Sequence, residues 1–182
     1  MISLFGQSIR IFLVMTLILG LAYPMIVTGI GQVLFPDQAN GSLILKDEKV
    51  IGSRLLSQKT ESVRLFWPRP SASDYGAVPS GASNQGPTSK VLKSTILERK
   101  SRGLNHEMAF TSASGLDPEI SIDAAIGQLP RIVESRNLGD TERKKVEDLI
   151  RQALEPRDFG FLGEPRINVL NLNLKLIEQF GE

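Results

Sequence analysis

Two carboxylates that stand two residues apart, Asp117 and Glu119, have the clearest potential for chemistry in this chain. Such a pair could bind a cation or act as a general acid and base. The order Asp-Pro-Glu is also typical of a helix start, because it supplies a capping carboxylate, a proline at the first position and an acid near the positive end of the helix dipole. We therefore predict that both residues cap a helix.

Other patterns that could support catalysis or ligand binding are weak. The sequence holds one histidine and no cysteine, which excludes a multi-histidine metal site and a cysteine nucleophile. His106, beside Glu107 in a polar stretch, is expected on the surface. Ser83 lies in a Ser-Gly-Ala-Ser-Asn-Gln-Gly run at 80–86 that misses the G-x-S-x-G nucleophile elbow by one residue. We predict a turn-rich loop there, and no catalytic, cofactor or metal site in the chain.

An apolar stretch at 11–36 carries no charged side chain and decides the domain organisation. A helix needs roughly 20 apolar residues to cross the hydrocarbon core of a bilayer, and residues 11–30 supply that length. A backbone in lipid must satisfy its own hydrogen bonds, which favours a helix. We predict a cytoplasmic segment at 1–10, a transmembrane helix at 11–34 and one extracytoplasmic domain at 35–182.

Two alternatives to a membrane anchor are open for this segment. A signal peptide could be cleaved near Ala22, but its apolar region is usually about 7–15 residues long, whereas here apolar residues continue to Leu34. A buried core helix would need a polar face, which the segment lacks. Arg10 precedes the segment and Asp37 follows it, so the positive-inside rule places the N-terminal side in the cytoplasm.

The outer end of the apolar segment combines small and polar residues. Glycines allow a second helix to approach closely, and polar side chains can hydrogen-bond across to it. We therefore predict contacts with a membrane partner at Thr28, Gly29, Gly31 and Gln32. Pro24 should kink the helix.

The charge balance limits the partners of the outer domain. Arg10 is the only charged side chain before Asp37, so 21 − 1 = 20 basic residues face 20 acidic ones beyond it. This balance argues against a nucleic acid as the main ligand.

Periodicity predicts a mixed α+β domain. Its expected elements are a hairpin at 41–57, helices at 91–102, 122–136 and 141–154, and a half-buried strand at 166–174. Ser121 is a second candidate helix cap, and Pro130 should bend its helix or end the first half.

Residues 67–89 are rich in Pro, Ser and Gly, yet they contain Trp67 and Arg69. We interpret this segment as a long loop laid over a surface.

Several motifs, in order, resemble those of one family. They are Tyr-Pro at 23–24, Gln-Val-Leu-Phe-Pro-Asp-Gln-Ala-Asn-Gly-Ser-Leu at 32–43, Arg-Pro-Ser-Ala at 69–72, Ser-Gly-Ala-Ser-Asn-Gln-Gly-Pro at 80–87, Ser-Gly-Leu-Asp-Pro at 114–118, Gln-Leu-Pro-Arg-Ile at 128–132, and Phe-Leu-Gly-Glu-Pro-Arg-Ile-Asn-Val-Leu-Asn-Leu-Asn at 161–173. Their order and spacing resemble the C subunits of the Kdp-type potassium-transporting ATPase (KdpC). Glu119 departs from the pattern, which commonly has histidine at this position.

The resemblance implies a single-pass protein of the cell inner membrane that has no catalytic activity by itself. It implies assembly with a channel-like A subunit, a P-type ATPase B subunit and a small F subunit into an ATP-driven pump for high-affinity potassium uptake. The family is also described as raising the ATP affinity of the B subunit and as ATP-binding. In the predicted topology only about ten residues are cytoplasmic, too few for a nucleotide pocket. We therefore expect ATP and K⁺ to be handled by the partner subunits.

The expected contacts of the outer domain lie in the motifs that carry the resemblance and in the surface loop. We predict contacts with the other subunits at Asp37, Gln38, Asn40, Arg69, Asp74, Tyr75, Ser83, Asn84 and Gln85.

Two rival functions are an anchored extracytoplasmic enzyme, with Ser83 or the pair Asp117 and Glu119 in its site, and a binding module secreted after cleavage near Ala22.

Overall fold

The computed structural model describes residues 2–46 and 48–181, without the side chains of Ile2 and Ser3. The chain divides into two compact units, Met1–Val50 and Ile51–Glu182. The division lies further along the chain than the expected end of the membrane segment at residue 34.

The first unit is dominated by one long helix. It comprises α1 (Ile2–Leu17), a π-helical turn (Ile18–Ala22) and α2 (Tyr23–Leu34), followed by the short α3 (Pro36–Ala39) and strand β1 (Leu43–Lys46). The 31 residues Leu4–Leu34 are long and apolar enough to cross a membrane, and their most apolar window is not buried in the protein. This exposure argues against a buried core helix and supports a membrane anchor.

The π-helical turn ends two residues before Pro24. The backbone N–H of Tyr23 donates to the carbonyl of Ile18, one residue further back than in an α-helix. Proline crowds the carbonyl four residues before it, here that of Gly20, and has no N–H to donate. The wider turn accommodates both effects, so the expected kink corresponds to a local change of helix type.

The second unit is a mixed helix and sheet domain, as predicted. Its elements are β2 (Lys49–Ser53, which begins before the division), α4 (Lys90–Ser101), a 3₁₀ turn (Glu107–Ala109), β3 (Glu119–Ile120), α5 (Ile122–Arg136), α6 (Asp140–Gln152), β4 (Ile167–Asn168) and α7 (Val169–Phe180). β1 and β2 form one two-stranded sheet, and β3 and β4 form another. In the second sheet the strands are antiparallel, with Glu119 opposite Asn168 and Ile120 opposite Ile167.

The core of the second unit lies between α5, α6 and α7. Ile132, Ile150, Leu172 and Leu176 are fully buried there, together with Phe66 from the preceding irregular segment. Burial of each such side chain contributes about 1.5–3 kcal/mol relative to exposure. The apolar faces of the three helices therefore supply most of the stability that holds the β3–β4 pair in place.

Side chains cap the helices of this unit. Ser121 Oγ accepts a hydrogen bond from the N–H of Ala124 at 3.1 Å, which confirms the predicted cap of α5. Ser89 caps α4 in the same way. Pro130 lies inside α5, which continues to Arg136, so the proline does not end the helix.

Two predicted elements were wrong. The expected strand at 166–174 is a strand only at Ile167–Asn168, because Asn168 Oδ1 then accepts from the N–H of Asn171 and starts α7. The residues that become buried, including Val169, Leu172 and Leu176, follow helical rather than strand spacing. Asp117 does not start a helix: the next residues form β3, and Asp117 Oδ1 accepts from the N–H of Glu119 at 3.0 Å.

The three predicted helices were confirmed within two residues of their expected ends, and the predicted hairpin at 41–57 was confirmed with strands that end earlier, at Ser53. The hairpin consists of β1 and β2, and its predicted polar turn at 46–49 includes Asp47, which lies outside the described residues.

An irregular segment at 63–67, here named the clamped segment, is held by side chains instead of by a neighbouring strand. All five of its backbone carbonyls accept side-chain hydrogen bonds. The donors are Arg131 and Ser135 to Val63, Arg136 to Arg64, Arg131 to Leu65, Asn173 to Phe66, and Gln128 to Trp67. These bonds fix the path of the chain that leads to Arg69.

Candidate functional site

The predicted membrane contacts lie at the C-terminal end of α2. Thr28, Gly29 and Gln32 are exposed, and Gly31 is half-buried. At about 100° per residue, Gly29 and Gly31 point in different directions, whereas Thr28, Gly31 and Gln32 follow the spacing of one helix face. A Cβ added to Gly29 would meet no atom of the described residues within 4 Å. The fold therefore leaves Gly29 open to a neighbouring helix.

Gln32 and Asn40, both predicted contact residues, bind each other. Gln32 Nε2 donates to Asn40 Oδ1 at 3.3 Å, and Asn40 Nδ2 donates to Gln32 Oε1 at 3.1 Å. Asn40 Nδ2 also donates to the carbonyl of Pro36 at 2.7 Å. These bonds close the turn formed by α3, in which Asp37 and Gln38 have exposed side chains. The helix thus ends in a compact polar turn.

The two predicted contact loops of the second unit, at 69–75 and 80–87, converge at Gly115. A Cβ on Gly115 would lie 2.8 Å from Ser73 Oγ and 2.9 Å from the carbonyl oxygen of Gly81. Gly115 also has a φ of +71°, which favours glycine. The close approach of Ser73 and Gly81 and the positive φ both explain why position 115 is a glycine. The two loops therefore meet at Gly115.

Arg69, Asp74 and Tyr75 are tied into the second unit. Arg69 Nη1 lies 3.0 Å from Asp117 Oδ2, and the hydroxyl of Tyr75 donates to the carbonyl of Arg69 at 3.1 Å. Lys59 Nζ lies 3.0 Å from Asp74 Oδ2. Burial raises the pKa of Tyr75, which keeps its hydroxyl protonated as a donor. These bonds give the loop a defined shape, while its contact with another protein stays a prediction.

Ser83, Asn84 and Gln85 form the outer part of the second loop. Ser83 Oγ accepts from Thr111 Oγ1 at 3.4 Å, and the side chains of Asn84 and Gln85 are exposed. In the part of the chain that the structure describes, the side-chain hydrogen-bond partner of Ser83 is a hydroxyl, not a base. An activated nucleophile needs a base within reach, so the arrangement does not favour the rival enzyme reading at Ser83.

A cleft of about 530 Å³ lies beside the β3–β4 pair. Its walls carry both signs of charge together with the apolar side chains of Phe110, Ile120 and Pro165. The lining residues are Arg69, His106, Glu107, Phe110, Asp117, Glu119, Ile120, Ser121, Glu164, Pro165 and Arg166. The carboxylate pair identified from the sequence therefore lies in the wall of a cleft.

Arg166 is the centre of the charge arrangement in this cleft. Its Nε lies 3.1 Å from Glu119 Oε1 and 3.6 Å from Glu155 Oε2, and its Nη2 lies 3.2 Å from Asp158 Oδ1. Burial raises the pKa of Glu119, and the charge of Arg166 opposes that rise. Asp117 pairs with a different guanidinium, that of Arg69, whereas Glu119 shares Arg166 with Glu155 and Asp158. Such pairing is typical of a structural ion-pair network, and it does not favour Asp117 and Glu119 as a general acid and base.

Sequence reasoning did not identify Arg166 and Glu107 as charged members of this cleft. Arg166 stands alone between Pro165 and Ile167, and only its place in a motif could have drawn attention to it. Glu107 accepts hydrogen bonds from the N–H and the hydroxyl of Ser121, which no local pattern predicts because the two residues are separated in sequence. His106 is exposed, as predicted.

A comparison with protein families decides the relationship of the chain. The family model described as "KdpC: K+-transporting ATPase, c chain" matches residues 5–178. The chain belongs to the KdpC family. The motif-based resemblance is thereby confirmed.

Individual relatives in this KdpC family match over almost their whole length. A potassium-transporting ATPase KdpC subunit of Methylococcus capsulatus is 48% identical, over 97% of this chain and 98% of the relative. The corresponding subunit of Leptospira interrogans is 40% identical, over 99% and 96%. That of Paraburkholderia phytofirmans is 42% identical, over 97% of each.

Proposed function

We propose that the chain is an accessory, non-catalytic subunit of an ATP-driven potassium pump. The observation that carries this proposal is the family match, which includes both the apolar helix and the second unit. The exposed apolar helix Leu4–Leu34 supports a place in the cell inner membrane. The proposed partners are a channel-like A subunit, a P-type ATPase B subunit and a small F subunit, which would handle K⁺ and ATP.

In this proposal the subunit acts through assembly. The outer end of α2 docks on a membrane helix of a partner, and the extracytoplasmic residues from 35 onward cap the channel-like subunit. Asp37, Arg69 and Asn84, with the neighbouring contact residues named above, face that subunit. Any increase in the ATP affinity of the B subunit is then an indirect effect of a correctly assembled complex, since ATP is on the other side of the membrane.

The test of the proposal is affinity purification of the full-length chain with a C-terminal tag from detergent-solubilised membranes. We expect a P-type ATPase and a channel-like potassium subunit to be retained in fixed ratio with an uncleaved chain. A chain purified alone would contradict the subunit role. A mature chain that begins near Ala22 would instead support the secreted module.

Replacing Gly29 and Gly31 with leucine should weaken this assembly. The larger side chains would prevent close approach of a partner helix, and loss of about 1–2 kcal/mol of helix association corresponds to about tenfold less retained partner. The measurement is the ratio of partner to tagged chain after purification. The single variants Gly29→Leu and Gly31→Leu would identify which helix face the partner uses.

Gly6→Leu is a matched control for these variants. Gly6 lies in the same continuous helix, and a Cβ there, like one on Gly29, meets no described atom within 4 Å, whereas a Cβ on Gly31 meets the Cβ of Ala39 at 3.9 Å. It should leave the ratio unchanged. Equal retention by wild type and the double variant would overturn the docking of this helix end.

The orientation can be tested directly because the chain has no cysteine. Lys144 is exposed on α6, so Lys144→Cys introduces a single reactive thiol on the second unit without disturbing the core. A membrane-impermeant maleimide should label this variant in intact cells as fully as in permeabilised ones. Labelling only after permeabilisation would place the second unit in the cytoplasm and reverse the proposed topology.

A further inference from the structure

Among the described residues, two arginines and no acidic side chain line a small cavity on the second unit. Its volume is about 220 Å³, and its lining residues are Ser62, Arg64, Leu65, Arg136 and Ile177. Arg136 belongs to the last turn of α5 and Ile177 to α7, whereas the other three precede the core residue Phe66. We name this cavity the arginine pocket. It shares no lining residue with the cleft beside the β3–β4 pair.

Arg136 is only 8% exposed, and one end of its guanidinium is unpaired. Its Nε donates to the carbonyl of Arg64 at 2.8 Å, and its Nη1 donates to the carbonyl of Gly181 at 2.8 Å. Its Nη2 is buried as well, yet it has no hydrogen-bond partner in the part of the chain that the structure describes. A buried donor without an acceptor is costly, and more so on a charged group. The arginine pocket therefore lacks an acceptor.

The positive charge of the arginine pocket is not balanced by a nearby carboxylate. The ion pairs among the described residues include neither Arg64 nor Arg136. Burial lowers the pKa of Arg136, and the charge of Arg64 lowers it further. Both guanidinium groups stay charged at neutral pH, so two like charges line one cavity. An anion between them would offset this repulsion.

The size and the other walls of the arginine pocket suit a small anion. Ser62 Oγ accepts from the N–H of Arg64 at 3.2 Å, which leaves its own proton free to donate. Leu65 and Ile177 are half-buried, and hydrogen bonds of charged groups are stronger beside apolar walls than in water. Sites for drug-sized ligands usually measure about 300–1,000 Å³. A cavity of about 220 Å³ therefore has room for an oxyanion group but not for a whole nucleotide.

We propose that the arginine pocket binds one oxyanion, a carboxylate or a phosphate group, between Arg136 and Arg64. A guanidinium group suits this ligand, because its planar N–H groups can donate to two oxygens of the same anion. Two sources supply this chemistry. One is a dissolved anion, and the other is the side-chain carboxylate of Glu182, which follows Gly181 in the sequence and lies outside the described residues. Neither source needs a partner subunit, so the site is independent of the proposed function.

Equilibrium dialysis of the full-length chain in a non-ionic detergent against radiolabelled inorganic phosphate tests the binding. The buffer is Tris chloride, which contains no competing oxyanion. Wild type is compared with Glu182→Gln, and we expect saturable binding of one phosphate per chain. Equal affinity of the two proteins would assign the site to a dissolved anion, whereas at least tenfold tighter binding by Glu182→Gln would assign it to the carboxylate of Glu182. Absence of saturable binding to both proteins would overturn the oxyanion site.

Substitution of Arg64 tests whether the phosphate lies in the arginine pocket. Arg64 is exposed and, within the described residues, hydrogen-bonds through its backbone only, whereas Arg136 also holds the chain at two carbonyls. Arg64→Gln, made in the Glu182→Gln background, should keep the melting temperature of that background and lower phosphate affinity at least tenfold. Arg143→Gln in the same background is the matched control, because Arg143 is an exposed arginine of α6 that does not line the pocket. Equal affinity of the Arg64 and Arg143 variants would contradict the proposal.

Discussion

Replacing Asn173 with leucine is expected to lower the free energy of unfolding of the second unit by about 3 kcal/mol. Asn173 is buried, and its amide makes both hydrogen bonds to the backbone of Phe66: Oδ1 accepts from the N–H at 2.8 Å and Nδ2 donates to the carbonyl at 2.9 Å. Leucine has a similar size but can make neither bond. Two buried backbone groups would then lose their partners, at about 1–3 kcal/mol each.

Denaturation of the full-length chain in detergent, followed by fluorescence, measures this change. Trp67 is the only tryptophan of the sequence and follows Phe66 directly, so the probe reports on the affected segment. Asn171→Leu is the matched control, because Asn171 is in the same helix and its side chain hydrogen-bonds to none of the described residues. If both variants unfold at the same denaturant concentration, the amide of Asn173 does not hold the segment.

Replacing Arg131 with alanine should cost about 2 kcal/mol of the same free energy. The guanidinium of Arg131 donates to the carbonyls of Val63 and Leu65, and its Cζ lies 3.7 Å from the centroid of the Trp67 ring. Burial lowers the pKa of Arg131 to about 10, so the group stays charged at neutral pH. Arg131 Nη2 also donates to Gln128 Oε1 at 2.8 Å, so the substitution removes three charge-assisted hydrogen bonds and a cation–π contact together.

Arg131→Lys separates these contributions. Lysine keeps the positive charge but has a single ammonium group, which cannot reproduce the planar fork that reaches two carbonyls. We expect its stability to fall between that of wild type and that of the alanine variant, again measured by Trp67 fluorescence. Lysine and alanine variants of equal stability would show that the charge over the ring contributes nothing. A lysine variant as stable as wild type would contradict the need for two-point binding.

The parts of the fold that depend on local sequence could be predicted. The apolar face of α6 repeats at helical spacing, and Ser121 provides a cap before α5, so both helices were found within a few residues. The run Asn168–Asn173 misled because alternating Leu and Asn fit a strand as well as a helix. Only the side-chain cap at Asn168 and the position of the core decide for α7.

The parts that depend on distant side chains could not be predicted. The clamped segment has no strand pattern, because its hydrogen bonds come from Gln128, Arg131 and Asn173 on two helices. The same applies to the cleft. Asp117 and Glu119 were recognised as a pair, but their guanidinium partners are separated from them by tens of residues. Sequence spacing therefore located the carboxylates and could not assign their role.

The pairing of Phe66 with Asn173 sets an order in time as well as in space. The two residues are 107 positions apart, so a growing chain exposes Phe66 long before the ribosome has added the residue that completes its hydrogen bonds. The segment stays unpaired until the 107 residues up to Asn173 have been made, because distant contacts form only after the intervening loop has closed. A chaperone that binds this subunit during synthesis would act mainly while Phe66 is still unpaired. A chain that stops before α7 would never form these two hydrogen bonds.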